Sequence, residues 1–201
     1  RALARVIARV HRLRPGRPCH IVAHSLGVAP ALAALPHLAP GAVGRIVALT
    51  GAAYQGEVRA ALATPGGQGA EFINITSREN DPFDFLFERL IAPPAPGDRP
   101  IGQGLSGPRA VTLQIDCAAT LEHLARIGLP MAPPARRVCH WSAYTRPGAM
   151  RAYARLLHRP DRLPLALLRA GLPERPAPRW SRLRPGWGRE TGGGGGGLQP
   201  T

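Results

Sequence analysis

Four short apolar runs, each closed by turn residues and followed by helical periodicity, constrain this chain more than any other feature. They occupy residues 19–23, 46–49 and 72–76 and the run "VTLQID" that ends at Asp116. Runs of this length, rich in Val and Ile, fit strands buried on both faces of a parallel sheet. Strands that alternate with helices predict an α/β fold, a mostly parallel sheet covered by helices. Helices are expected over residues 1–13, where Leu3, Val6, Ile7 and Val10 recur at helical spacing, and over 26–35, 54–63 and 83–91. Further helices are expected in "AATLEHLARIG", in "AMRAYARLLHR" and over 163–170, while "RRVCHWSAYTRPG" reads as a short strand and a polar loop. The Pro- and Gly-rich segment 93–108 is expected to be a long loop of functional or variable character.

At 201 residues the length suits one domain. Its expected extent is 1–172. From 173 to 201 Arg, Pro and Gly dominate, with six consecutive glycines at 192–197. Such a tail buries too little apolar surface to offset its ordering entropy and is expected to be disordered.

The formal net charge of +14 would ordinarily suggest a polyanionic partner. All 26 basic residues are arginine, however, and Ala, Gly and Pro are abundant, which points to compositional bias in the coding sequence instead. Nucleic acid is therefore not the expected partner, although Trp180 and Trp187 among the tail arginines could stack on bases. The three cysteines, Cys19, Cys117 and Cys139, lack metal-ligand spacing and predict a reducing, cytoplasmic setting with no metal and no cofactor. No apolar stretch approaches the roughly 18 residues a membrane span requires.

The first strand runs straight into a helix through "AHSLG", residues 23–27. A serine there can cap the helix, or it can be a nucleophile lifted above the sheet by a sharp turn. The small residues Ala23 and Gly27 stand where such a turn brings backbone segments close, and the N–H of Leu26 would face an oxyanion. The motif resembles the nucleophile elbow of the α/β-hydrolase superfamily, in its serine esterase and lipase-like form, with Ala23 replacing the usual first glycine. That resemblance implies an acid and then a histidine later in the chain.

Asp81 in "SRENDP" follows the third strand and is the expected acid, with Asp116 as strongest rival and Glu79 and Asp84 as competitors. His140 is the expected base, with Trp141 and Tyr144 beside it to shield the ring or line a pocket. His123, inside a regular helix, is the weaker candidate. The implied activity is cleavage of a small-molecule carboxylic ester or thioester by Ser25, His140 and Asp81, with Leu26 in the oxyanion hole. The alternative is a non-catalytic binding or scaffold module of the same fold. The superfamily also carries strands ahead of the elbow, so the chain is expected to be an N-terminally truncated domain lacking the loop that donates a second oxyanion N–H.

Overall fold

The computed structural model describes residues 1–185. Four strands, β1 (Cys19–His24), β2 (Val43–Leu49), β3 (Glu71–Thr76) and β4 (Ala110–Gln114), pair in parallel in the order β1-β2-β3-β4. Chain order and sheet order coincide, and each connection carries a helical crossover, as parallel pairing requires. Successive residues of β2 alternate between two cores: Ile46 and Ala48 join one, Val47 and Leu49 the other. Both faces are thus buried, as the unbroken apolar run predicts.

The first core is closed by α1 (Ala2–Leu13), α2 (Val28–Ala34) and α3 (Gln55–Ala63), which contribute Ile7, Leu32 and Val58 among others. The second is closed by α5 (Ala118–Arg126), α6 (Ser142–Thr145), α7 (Ala149–His158) and α8 (Leu165–Arg169), through Leu124, Ala143, Tyr153 and Leu168. Helix α4 (Asp81–Leu90) follows β3 through a 3₁₀ turn, Arg78–Asn80. The segment 93–108 is fastened down: Arg99 O accepts from Gln55 N at 2.8 Å, Ala53 O accepts from Ile101 N at 3.0 Å, and the Ile101 side chain is fully buried.

Three expectations change. No strand forms before His140, where residues 129–141 are irregular. Along α1 only Ala4 and Ile7 are buried, while Val6 and Val10 are exposed, because β1 is an edge strand and nothing among the described residues lies beyond it. Residues 173–185, expected to be disordered, pack on the domain instead: Arg182 is 2% exposed and donates to Arg136 O, and Arg179 pairs with Glu88 at 2.9 Å. Arginine's long stem and multiple donors let this segment dock by polar contacts where apolar area is scarce. The glycine run, Trp187 and the rest of 186–201 lie outside the described residues. No helix among the described residues is long and apolar enough to cross a membrane.

Arg45 of β2 fastens the second helical layer to the sheet. At 2% exposure it donates to Leu156 O at 2.6 Å, to Leu163 O at 2.8 Å and to Glu71 at 2.7 Å. Removing it strands two buried carbonyls and a carboxylate. Arg45→Ala should therefore lose on the order of 3 kcal/mol, read as a lower urea midpoint, and an unchanged midpoint would refute this role.

Candidate active site

Ser25 follows the last residue of β1 and opens a 3₁₀ turn, Ser25–Gly27, that leads into α2. Its backbone is left-handed at φ +53°, and Thr50, at the end of neighbouring β2, is left-handed at φ +40°. Side chains rarely adopt this region, which costs each of them about 1–3 kcal/mol unless the surroundings enforce it. The enforcement is visible in the ties between strand ends: Ala52 N donates to Ser25 O at 3.1 Å, and Thr50 N donates to Ile75 O at 2.9 Å. No side-chain cap hydrogen bond comes from the serine, which removes the simple capping explanation for it. Leu26 N–H lies in the first helical turn, where no helix carbonyl can receive it. Gly27 is not sterically required, since a Cβ there would meet nothing within 4 Å.

His140 reaches the same place from the irregular segment after α5. Its carbonyl accepts from His24 Nε2 at 3.1 Å and from Thr50 Oγ1 at 3.4 Å, and the preceding Cys139 N donates to Glu79 O at 2.9 Å. A carbonyl only accepts, so His24 carries its proton on Nε2. The imidazole of His140 stacks on Phe83 with ring centres 4.6 Å apart. Burial, and then the nearby His24, hold its pKa below the usual histidine value, so the neutral ring persists at neutral pH.

The ring's partner is Asn80, not Asp81. Asn80 Oδ1 lies 2.7 Å from His140 Nδ1, and Asn80 Nδ2 donates to Asp84 Oδ1 at 2.8 Å. The second contact determines the first. With its NH₂ on the ionised form of Asp84, the amide presents its oxygen to the imidazole, so in that form Nδ1 carries the proton and Nε2 is left as the basic nitrogen. Asp84 is itself held by close packing, since a Cβ on Gly102 would come within 2.5 Å of its Oδ2. Burial lifts the Asp84 carboxyl to about 7, with Asp81 adding to the rise and Arg78 opposing it.

The other acids have structural work. Asp81 is fully buried, accepts from Arg78 Nη1 at 3.0 Å and from Trp180 N, and makes no hydrogen bond to His140. Burial outweighs Arg78 and pushes its pKa up. Asp116 accepts from Arg78 N at 3.0 Å and Gln114 Nε2 at 3.1 Å, which fixes the turn after β3. Glu79 pairs with Arg146. His123 is buried and hydrogen-bonds the carbonyls of Leu167 and Leu168. Two expected neighbours of the site stand apart from its cavity, which neither lines: Tyr144 packs its ring edge on His24 with centres 5.1 Å apart, and Trp141, 53% exposed, stands edge-on to the His140 ring with centres 6.0 Å apart.

Ser25, Leu26, His140 and Asn80 line a cavity of about 220 Å³ whose remaining wall is largely the apolar side of α4: Phe83, Leu86, Phe87 and Leu90. No hydrogen bond joins Ser25 Oγ to His140 here; such contacts commonly tighten only with substrate bound. Among the described residues no group of three or more His, Cys, Asp or Glu is placed to hold a metal ion. Comparison with family models, curated proteins and solved structures returned no match.

Asp84 gives the site a stability signature. Its folded-state pKa lies above the unfolded value near 4, so the folded chain binds this proton more tightly. The stabilisation is complete below about pH 4 and is lost as pH rises toward 7. Between pH 5 and pH 8 the melting temperature of wild type should fall relative to that of Asp84→Asn. Parallel melting curves over that interval would contradict the assignment.

Proposed function

We propose that this chain is an acyl-transfer enzyme of the α/β-hydrolase kind, cleaving a small carboxylic ester or thioester with an apolar acyl group. The observation that supports it best is the chain from Asp84 through Asn80 to His140 Nδ1, which leaves His140 Nε2 basic in the cavity that holds Ser25. In this reading Ser25 Oγ attacks the acyl carbon and His140 Nε2 takes its proton. The oxyanion that forms receives the Leu26 N–H and the positive end of the following helix. His140 then protonates the departing alcohol or thiol, and water, deprotonated by the same ring, releases the acyl group from Ser25. The α4 side chains would hold the acyl chain.

Asn80 stands where the resemblance implies an aspartate. An amide carries no charge to offset the imidazolium. In a triad whose acid becomes an amide, the larger loss, about 10⁴-fold, comes from the wrong tautomer. Here the contact to Asp84 opposes that loss once the carboxyl ionises, since a carboxylate cannot donate to the amide oxygen and so keeps the NH₂ turned away from the ring. The Asp84 carboxyl, whose pKa burial raises to about 7, supplies that charge from one side chain farther away only once it ionises. Three free cysteines support the further proposal of a reducing, cytoplasmic setting.

A fluorophosphonate probe tests the assignment. Wild type should label, and Ser25→Ala should not. Asn80→Ala should label on the order of 10² to 10⁴-fold more slowly with the fold retained by circular dichroism. The half-maximal labelling rate on the acid side should lie below pH 6.5, as the lowered His140 pKa requires. Absence of any Ser25-dependent labelling would favour the non-catalytic binding module.

A further inference from the structure

Asn74 and Thr76 of β3 stand directly beside Thr112 and Gln114 of β4, so all four share one face of the sheet. On a parallel sheet covered from both sides that face should be apolar. The opposite face of the same strands obeys the rule with Ile73, Ile75, Val111 and Leu113. Thr112 is fully used: its hydroxyl exchanges hydrogen bonds with Leu105 N and O and accepts from Asn74 Nδ2. Thr76 Oγ1 and Gln114 Oε1, by contrast, are buried with no hydrogen-bond partner. Arg78 Nε is in the same position, although its two terminal nitrogens hold Asp81 and Gly102 O. Asn74 Oδ1 on the same face is unpartnered as well; burying one such atom is costly, and the three on Thr76, Gln114 and Arg78 call for a partner.

All three residues line a cavity of about 450 Å³, which shares no lining residue with the Ser25 cavity. Arg169 lines it too, with Nη2 on the carbonyls of Gly107, Pro108 and Ala110 and no carboxylate partner, and no Asp or Glu lines it. The volume falls in the range of small-molecule sites.

We propose that this cavity is a second binding site, for a small polyhydroxylated anion. Each part of the ligand follows from an unmet atom. Gln114 Oε1 only accepts, so the ligand must donate, as a hydroxyl does. Arg78 Nε only donates and belongs to a cation, so the ligand must present an acceptor, best an anionic one. Thr76 Oγ1 can serve either group. The site is independent of the chemistry at Ser25.

Isothermal titration of the full chain provides the test, using gluconate and glucose 6-phosphate as probes, with glucose and inorganic phosphate as controls. At least one of the two hydroxylated anions should bind saturably, and tenfold or more tightly than either control. Which of the two binds distinguishes a carboxylate from a phosphate headgroup. Thr76→Val, which keeps the side-chain shape, and Arg169→Met should each weaken binding at least tenfold. Ser25→Ala should bind as wild type does. Because Thr76→Val removes an unpartnered hydroxyl, its melting temperature should be unchanged or higher, so lost binding would not reflect lost folding. The proposal is overturned if neither anion binds saturably, leaving the cavity to water only. It is equally overturned if Thr76→Val melts well below wild type, if both cavity variants bind normally, or if Ser25→Ala abolishes binding.

Discussion

The parallel register of β1, β2 and β3 is the constraint on which the rest of this molecule depends. His24 pairs with Leu49, and Leu49 with Ile75, so the three strands finish level. The residues that follow, Ser25, Thr50 and Thr76, therefore stand abreast along the carboxyl edge of the sheet, where ligands of open α/β sheets bind. From that edge Thr50 reaches the His140 carbonyl, and the turn after Thr76 delivers Asn80 to the imidazole. A one-residue slip of β3 against β2 would exchange the two faces of the strand and carry Asn80 away from His140.

The strands, the crossover helices and the parallel topology were legible from hydrophobic patterning, most plainly at β2, where Ile46–Leu49 is a continuous apolar run buried on two faces. Ser25 was legible from its place between such a run and a helix. The partner of His140 was not. Asp81 has the right chemistry and the right place in the chain, yet the 3₁₀ turn at Arg78–Asn80 rotates it toward Arg78 and puts Asn80 toward the ring. A signal was available: Asn80 and Asp84 are four apart, one helical turn, and so lie on one side of α4. The docked segment before residue 186 escaped for another reason. Composition reports how little apolar surface a stretch can bury, and Arg179 and Arg182 attach it through ion pairs and carbonyl contacts.

Arg78, which lines the second cavity, is tied to residues beside the first. One terminal nitrogen holds Asp81, the other holds the carbonyl of Gly102, where a Cβ would collide with Asp84, and its own N–H is held by Asp116. A buried cation of this kind holds its neighbours at fixed distances because losing any one contact leaves an expensive charge uncompensated. The imidazole side and the polar face of β3 and β4 are thereby parts of one rigid frame.

Helix α4 places two kinds of residue on a single rod. Its first turn and the residue before it carry Asp84 and Asn80, and the same helix presents Phe83, Phe87 and Leu90 to the cavity. Phe83 belongs to both sets, since it stacks on the imidazole and also lines the wall. The shape of the chamber and the aim of the ring are therefore not separately adjustable. Enlarging the chamber by trimming Phe83 would also remove the ring's stacking partner, so a redesign of this pocket would have to start from Leu86 and Leu90, two exposed residues of its wall.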